Sequence, residues 1–352
     1  MSSSTPDAPP DSMRAVVTTG HGDLDVLALR RVPVPAPGPG EVLLRVLAAG
    51  CNNTDLWTRE GAYGTTTPAG WKGAVGFPRI QGGDVCGRVV AVHPGEPDHL
   101  VGHRVLVDPA LYDGPGPDAL VDDVLGSERD GGFAEHVVVP AACAHDVDDS
   151  PLTDEELAAL PIAYGTALGM LERGAVAAGH TVVVTGASGG VGLAAVQLAH
   201  TRGARVVAVC SASKADEVRR AGADVVVDRA AGPVATGLRR AAPDGVDVVV
   251  DVVAGPTVGD ALDQVRPGGR WVVAGALDGW RVSLDVRTLY LANVALVGST
   301  MHTRRVFDLL VDLARRGGVR PVVARTFALE DLADAERELG RRVHVGKLVV
   351  LP

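Results

Sequence analysis

The chain is poor in cysteine and aromatic residues, and it has no long apolar run and no excess of positive charge. Only four cysteines occur in 352 residues, and no two of them form a C-x-x-C pair. Such a pattern supports neither a disulfide framework nor a zinc knuckle, and it favours a reducing, cytoplasmic environment.

Charge and hydropathy exclude further classes of partner. The formal net charge is −10, so we expect neither nucleic acid nor an anionic membrane as a partner, since both attract basic surfaces. No apolar run approaches the length of a membrane span, and Met1–Ser12 lacks the basic and apolar parts of a signal peptide. We interpret residues 1–12 as a disordered tail and expect a small-molecule substrate.

Glycine, alanine and valine are abundant, as in α/β proteins with tight turns. The most informative stretch is Thr181–Gly192, TVVVTGASGGVG, in which a β-branched run meets a glycine-rich turn and then a helical pattern. A second strand pattern, Arg205–Cys210, follows at once, so the turn predicts the opening of a dinucleotide-binding unit rather than an isolated tight turn. The residues expected to approach the pyrophosphate are Ser188, Gly189, Gly190 and Val191.

The end of the second strand predicts the cofactor. NAD-specific sites usually carry an acid there, but this chain has no carboxylate before Asp216. Ser211, Ser213 and Lys214 offer two hydroxyls and an ammonium, which suit a 2′-phosphate, so we favour NADPH. The alternative is that Lys214 is a solvated lysine at the start of the next helix.

Periodicity divides the chain into two kinds of structure. Up to residue 150, short strand patterns separated by turns predict a compact β-barrel, with a loop over Asp113–Arg129. Residues 151–297 begin with a helix that Thr153 caps, and strands then alternate with helices, which predicts a doubly wound parallel sheet. Residues 298–352 are expected to return to the first domain, 13–150.

Several segments together resemble the medium-chain dehydrogenase/reductase superfamily. The resemblance covers nearly the whole chain after the tail, and it implies a GroES-like β-barrel catalytic domain beside a Rossmann domain. The segments that carry it are PGPGEVLLRV, GGDVCGRVVAV, GGFAEHVVVP, ALPIAYGTALGML, TGASGGVGLAAVQLA and VGKLVVL.

Zinc-dependent members of this superfamily carry three metal ligands that are absent here. The resemblance places Asn52 where the first ligand, a cysteine, would stand, Gly83 at the histidine and Ile162 at the second cysteine. A catalytic zinc needs three such ligands, and the structural zinc lobe would need cysteines that Asp113–Arg129 lacks, so we predict no metal. The remaining alternative is an unusual site made from Cys51, Cys86 and Asp84.

The chain is therefore similar to the zinc-free quinone oxidoreductase and enoyl reductase branch. The pattern G-x-N-x-x-D of that branch corresponds to Gly50, Asn52 and Asp55. Its proton-donating tyrosine, in G-N-Y-G, corresponds to Tyr63 in G-A-Y-G. The resemblance also implies contacts near the nicotinamide ribose and along the cofactor from Tyr164, Thr166, Ala254 and Gly275.

Both catalytic assignments have structural alternatives. Asn52 could be a turn residue that bonds its own backbone, and Tyr63 could be a loop aromatic that packs on the barrel. Four of the twelve aromatic residues cluster between positions 57 and 77. Trp57, Trp71 and Phe77 are expected to line the pocket of a bulky, flat or apolar substrate, or else to anchor a surface loop.

We predict an NADPH-dependent, zinc-independent reductase that transfers hydride to a quinone or to the activated C=C bond of an α,β-unsaturated carbonyl compound. The side chain of Asn52 or Tyr63, or backbone N–H groups, would stabilise the developing oxyanion, and Tyr63 or water would deliver the final proton. The alternatives are a zinc-free carbonyl or alcohol dehydrogenase and a non-catalytic NADPH-binding protein. The resemblance implies a homodimer or homotetramer.

Overall fold

A computed structural model describes residues 9–62 and 75–352. Contacts divide the chain into two compact units, one formed by the residues up to Ile162 with Thr303–Pro352, and the other by Ala163–His302. Among the described residues, no helix has the length and apolar character needed to cross a bilayer.

The strands are, in chain order, β1 (Ser12–Thr18), β2 (Leu27–Pro33), β3 (Glu41–Gly50), β4 (Arg79–Ile80), β5 (Asp84–Val92), β6 (Arg104–Val107), β7 (Ala110–Tyr112), β8 (Val121–Val124), β9 (His136–Pro140), β10 (Ala144–Asp146), β11 (Thr181–Val184), β12 (Arg205–Cys210), β13 (Val225–Asp228), β14 (Val246–Asp251), β15 (Val265–Val273), β16 (Ala295–Gly298), β17 (Val323–Ala328) and β18 (Lys347–Leu351). The helices are α1 (Asn53–Arg59), α2 (Asp154–Ala158), α3 (Pro161–Arg173), α4 (Gly190–Thr201), α5 (Ala215–Arg220), α6 (Val234–Ala241), α7 (Thr257–Ala261), α8 (Val286–Leu291), α9 (Arg304–Arg316) and α10 (Leu332–Arg341). Single 3₁₀ turns occur at Leu24–Val26, Ala141–Cys143, Ala212–Lys214, Leu262–Gln264 and Leu329–Asp331.

The first unit is organised around strand β3, which pairs antiparallel with β5, β9 and β18. Its main sheet has the order β10-β6-β5-β3-β18-β17, and β1, β2 and β4 form a second sheet. Apolar side chains of both sheets, such as Leu44 and Val85 of the main sheet and Ala15 of the second, are completely buried. This closed arrangement of short, mainly antiparallel strands is the barrel that the sequence predicts.

The chain crosses between the units later than expected. The first division falls after Ile162 rather than after residue 150, because helix α2 packs on β3 and β5 of the barrel. The capping box predicted at Thr153 is confirmed, since its hydroxyl accepts from the backbone N–H of Glu156 at 3.2 Å. The second division falls after His302 rather than after residue 297, and the following segment adds β17, α10 and β18 to the barrel sheet.

The loop expected over Asp113–Arg129 contains a strand. Residues Val121–Val124, VDDV, pair antiparallel with β7 in a small hairpin. The two acidic residues lower the strand propensity of this segment, so its sequence does not show the pairing.

The second unit is a parallel sheet with the order β13-β12-β11-β14-β15-β16. Each strand except the edges is paired on both sides, which explains its nearly continuous valine content. Trp271 on β15 is completely buried at the centre of the core of this sheet. The strand order reverses between β11 and β14, so the predicted doubly wound sheet is confirmed, and its reversal point is where such sheets bind ligands.

Candidate functional site

The turn after β11 is shaped to receive a phosphate group. The first N–H groups of a helix have no intrahelical partner. Gly189, the N-cap of α4, has no side chain that could accept from them. A Cβ on Gly192 would lie 2.2 Å from the carbonyl oxygen of Gly186. Only glycine permits this close approach, which draws the helix N-terminus against the turn. Ser188, Gly190 and Val191 lie in the same turn and first helical turn.

Asp251, at the end of β14, holds the loops on both sides of the reversal point. One of its carboxylate oxygens accepts from the Thr185 hydroxyl at 2.6 Å and from the backbone N–H of Ala254 at 3.0 Å. The other oxygen accepts from the indole N–H of Trp271 at 2.8 Å. These bonds hold Ala254 with a φ of 55°, a left-handed conformation, beside the glycine turn. Gly275 follows β15, where an added Cβ would lie 2.7 Å from the Val252 carbonyl oxygen.

The end of β12 carries hydroxyl and cationic groups. The hydroxyls of Ser211 and Ser213 lie 3.4 Å apart, and Lys214 ends the 3₁₀ turn that follows. Burial, and then the nearby Arg229 guanidinium, lower the pKa of Lys214. Asp228 is also close, but its Oδ1 accepts from the backbone N–H of Ala212 at 3.2 Å and so orders this turn. The second cation, Arg229, was not predicted from the sequence.

Because β11, β12, β14 and β15 are parallel neighbours, their carboxyl ends meet at one edge of the sheet. That edge brings together the cofactor residues predicted on these strands. Tyr164 and Thr166 lie on α3 of the same unit and are both buried. The Tyr164 hydroxyl donates to the side-chain oxygen of Gln197 on α4 at 2.6 Å. These residues fit a nicotinamide dinucleotide, because a glycine cradle and a helix N-terminus face the position of its pyrophosphate.

The barrel contains a second cluster, formed where β3 ends. Val349 of β18 and Asp84 of β5 both pair with Gly50. The strands stay together beyond this pair through the bond from the Cys51 N–H to the Leu348 carbonyl at 2.9 Å, so Lys347 comes to lie beside Asn52. A strand pairing between distant parts of the chain thus brings three polar side chains to one buried point.

These side chains form a closed hydrogen-bond network. The Lys347 ammonium donates to the Asp84 carboxylate at 2.8 Å, to the Asn52 side-chain oxygen at 2.6 Å and to the Cys51 carbonyl at 2.7 Å. The Asn52 amide donates to the same Asp84 oxygen at 2.8 Å. The other Asp84 oxygen accepts from the backbone N–H of Ile162 at 2.6 Å. Asp84 is completely buried and Lys347 is 4% exposed, so each charge depends on the other.

Asp55 borders this cluster from the first turn of α1. Its carboxylate accepts from the backbone N–H of Asn52 at 2.8 Å. Burial is the largest influence and, with the negative charges of Glu336 and Asp84, raises the pKa of Asp55 to about 7 despite this hydrogen bond and the opposing charge of Lys347. Burial also raises the pKa of the Cys51 thiol.

The residues at the three expected ligand positions do not fit zinc. Asn52 faces the ammonium of Lys347, and Ile162 has no donor atom in its side chain. A Cβ on Gly83 would lie 2.9 Å from both the Ile162 side chain and the Leu125 carbonyl oxygen. A histidine at position 83 would therefore displace its neighbours. Since a catalytic zinc needs three protein ligands, the residues at these three positions do not supply the expected set.

The alternative site from Cys51, Cys86 and Asp84 is not formed either. The Cys86 sulfur lies 3.9 Å from Asp154, while Asp84 is committed to Lys347. Within residues 9–62 and 75–352, the donor atoms of one group of His, Cys, Asp and Glu residues do converge, and that group lies elsewhere on the barrel. Its members are His103, Asp146 and Asp148.

The predicted aromatic cluster is described only in part, because Tyr63 and Trp71 lie outside the described residues. Trp57 packs against the barrel core, and the Phe77 ring meets the His21 ring edge-on with centroids 4.8 Å apart. These are the contacts that anchors of a surface loop would make. The roles of these residues in a substrate pocket stay predictions, as does the role of Tyr63.

Both units match known families. Residues 38–149 match the "Alcohol dehydrogenase GroES-like domain" family, and residues 190–316 match the family described as "Zinc-binding dehydrogenase". The rat (Rattus norvegicus) "Synaptic vesicle membrane protein VAT-1 homolog" is 31% identical, over 98% of this chain and 85% of that protein. The "Acryloyl-coenzyme A reductase" of Metallosphaera sedula is 32% identical, over 96% of this chain and 99% of that protein.

Solved structures agree with this result. A Sinorhizobium meliloti 1021 protein assigned to the alcohol dehydrogenases is 44% identical with a TM-score of 0.92, and the match covers 98% of each chain. A 2-octenoyl-CoA carboxylase reductase, solved in complex with NADP and 2-octenoyl-CoA, is 28% identical with a TM-score of 0.84, over 98% of this chain and 88% of that one.

The fold and the nucleotide turn thus define a two-unit oxidoreductase with a GroES-like barrel and a Rossmann unit for a nicotinamide dinucleotide. The chain belongs to the medium-chain dehydrogenase/reductase superfamily.

Sequence reasoning missed Lys347, Asp251 and Arg229. Lys347 and Asp251 carried a usable signal, because each is a charged residue in or beside an otherwise apolar strand, and such a residue needs a buried partner. Arg229 follows a strand end directly, but nothing in its local sequence distinguishes it from a solvated arginine.

Proposed function

We propose that this protein is a zinc-independent, NADPH-dependent reductase whose substrate is a quinone or an α,β-unsaturated ketone, aldehyde or thioester. The observation that carries the proposal is the buried network at the expected metal position. Lys347, Asn52 and Asp84 fill it with an ammonium, an amide and a carboxylate, and Gly83 has no room for a ligand side chain. Without a metal, the oxyanion that develops when hydride adds to an activated C=C bond or a quinone can be stabilised by hydrogen-bond donors alone, and a proton donor then completes the reduction.

The names of two relatives support this substrate class. One is an acryloyl-coenzyme A reductase, and another was solved with NADP and an enoyl thioester. An alcohol dehydrogenase assignment accompanies the relative that is 44% identical, and it favours a zinc-free carbonyl or alcohol dehydrogenase as the second candidate.

NADPH is the cofactor that the end of β12 favours. The phosphate of a bound NADPH would meet the hydroxyls of Ser211 and Ser213 and two cations, Lys214 and Arg229. The nearby Asp228 has one oxygen engaged with the backbone N–H groups of Ala212 and Ala230. Charge-assisted bonds to a phosphate are roughly twice as strong as neutral ones.

Each residue of the barrel would act on the substrate oxygen or on a proton. NADPH supplies the hydride when it is bound. One amide hydrogen of Asn52 is engaged with Asp84, while the other points toward the Gly50 carbonyl at 3.4 Å, a long and weak contact. That second hydrogen is the one we assign to the enolate or quinolate oxygen. Tyr63 or water then delivers the proton that completes reduction.

We also propose that the protein is a cytoplasmic homodimer. All four cysteines are free and buried, as in proteins of reducing compartments. Strand β16 is the edge of its sheet, and apolar side chains on it and at the end of the preceding helix are exposed, with Leu296 at 42% and Leu291 at 73%. An open edge strand with apolar neighbours is a surface that a second copy can cover.

The test is consumption of NADPH and of NADH with quinones, enones, enoyl thioesters and simple ketones, each with and without a chelator. We expect chelator-insensitive reduction of a quinone or enone that prefers NADPH. Chelator-sensitive ketone reduction would contradict the proposed absence of zinc. Binding of NADPH without turnover on any acceptor would favour a non-catalytic binding protein.

A further inference from the structure

The Lys347 ammonium has an acceptor for each of its three hydrogens. The Cys51 carbonyl, the Asn52 side-chain oxygen and the Asp84 carboxylate lie 2.6 to 2.8 Å from Nζ. The Lys347 side chain is 5% exposed. It therefore has no hydrogen left for a substrate, and any influence it has on the reaction passes through its neighbours.

Lysine is rare in this chain, and its use at this point is selective. The sequence contains 33 lysines and arginines together, of which only Lys72, Lys214 and Lys347 are lysines. A guanidinium is a planar fork, whereas three acceptors around one atom suit a compact ammonium. Position 347 thus carries a group that its surroundings require.

The ammonium decides which way the Asn52 amide faces. Its oxygen accepts from Lys347, and the opposite orientation would place the NH₂ group against the ammonium. The NH₂ group consequently faces Asp84 with one hydrogen. The second hydrogen keeps only the contact of 3.4 Å with the Gly50 carbonyl.

We propose that Lys347 is a positioning residue, which together with Asp84 locks the Asn52 amide so that one N–H is held for the substrate oxygen. The inference rests on the proposed function, since it assigns an oxyanion to that N–H. A donor fixed in advance stabilises developing charge without reorganising during the reaction.

A neutral pair separates positioning from stability. Lys347→Met alone leaves the Asp84 carboxylate buried without its partner and should lower both Tm and kcat. Adding Asp84→Asn removes the charge and should recover Tm. The amide introduced at position 84 keeps its oxygen on the Ile162 N–H, so its NH₂ group faces the Asn52 side chain. Two NH₂ groups cannot hydrogen-bond to each other, and the Asn52 amide therefore turns over. We expect kcat of the double variant to stay about 100-fold below wild type, in the range found when one oxyanion donor is removed, with KM changed little.

Glu336→Gln is the matched control. Glu336 belongs to a second buried ion pair of the barrel, in which its carboxylate accepts from the Arg59 guanidinium at 2.8 Å rather than from Asn52. This variant should have a lower Tm and an unchanged kcat, which would show that reduced stability alone does not lower turnover.

A second measurement does not depend on turnover. The ionisation of 4-nitrophenol, followed by absorbance in the complex with NADP⁺, reports how well the site holds an oxyanion. Wild type should favour the bound phenolate, and the double variant should lose that preference. If wild type binds phenolate but reduces no acceptor, the proposed function fails while the positioning role stands. The positioning role is overturned if kcat of the double variant recovers with Tm, or if phenolate ionisation is the same in all variants.

Discussion

The replacement of Asp55 by asparagine should make the protein more stable, and by an amount that grows with pH. Burial raises the pKa of this carboxyl from 3.8 to about 7. Between these values the folded chain keeps a proton that the unfolded chain has lost, so wild-type stability falls as the pH rises from about 4 to about 7 and then levels off. A shift of about 3 units, at about 1.4 kcal/mol each, corresponds to roughly 4 kcal/mol.

Asparagine is a close replacement at this position. Its side-chain oxygen can still accept the hydrogen bond that the Asn52 backbone N–H donates at 2.8 Å. It cannot ionise, so the negative charges of Glu336 and Asp84 no longer disfavour a charge at position 55. The penalty that wild type incurs above neutral pH is thereby removed.

Urea denaturation of both proteins at several pH values between 4 and 8.5 measures the effect. The difference in unfolding free energy, variant minus wild type, should increase toward about 4 kcal/mol and become constant above pH 7. Asp285→Asn is the control, because hydrogen bonds from Arg287 lower the pKa of that exposed carboxyl. Its contribution to stability changes only below about pH 4, so the difference between this variant and wild type should stay constant over the measured range. Parallel stability curves for wild type and Asp55→Asn would refute the reasoning.

Two other substitutions test the proposed cofactor and assembly. Lys214→Ala should weaken NADPH binding by about 10- to 100-fold, as expected for a charged hydrogen bond, and should leave NADH binding nearly unchanged. Arg239→Ala, which removes a cation paired with Asp263, is the control. An unchanged NADPH preference in Lys214→Ala would exclude the assignment of Lys214 to the 2′-phosphate. Leu296→Asp places a charge on the open edge of β16 and should shift sedimentation from dimer to monomer, whereas Leu309→Asp, on an equally exposed side chain of α9, should not. A wild-type monomer would contradict the dimer directly.

The parts of the fold that follow from local sequence were predicted well. Val182–Val184, Val206–Cys210 and Val248–Val250 are continuous apolar runs, because a parallel strand covered on both faces has no solvent side. The helix at Asp154–Ala158 was also predicted, since a capping box is a short-range signal. The strand Val121–Val124 was missed because its pairing partner, and not its own composition, decides its conformation.

The candidate site likewise has a part that follows from local sequence and a part that depends on contacts between distant residues. Comparison of motifs by position predicted that Asn52, Gly83 and Ile162 stand at the expected zinc-ligand positions, because each motif is a short segment of sequence. It could not show what fills their place. Lys347 is separated from Asn52 by 295 residues, and only the register of β18 against β3 makes them neighbours.

Because Lys347 and Asn52 are so far apart in the sequence, the absence of zinc-ligand motifs says less about the nature of this site than the residues that the fold brings there. The absence of three ligands does not say how the buried polar groups that remain, such as the Asp84 carboxylate, are compensated. A buried, unpaired charge costs several kcal/mol, so this carboxylate depends on a partner. Here the acid is retained together with a lysine whose three hydrogens are all used. The two charges therefore compensate each other, and in the proposed function the role of the pair is the orientation that it gives to the Asn52 amide.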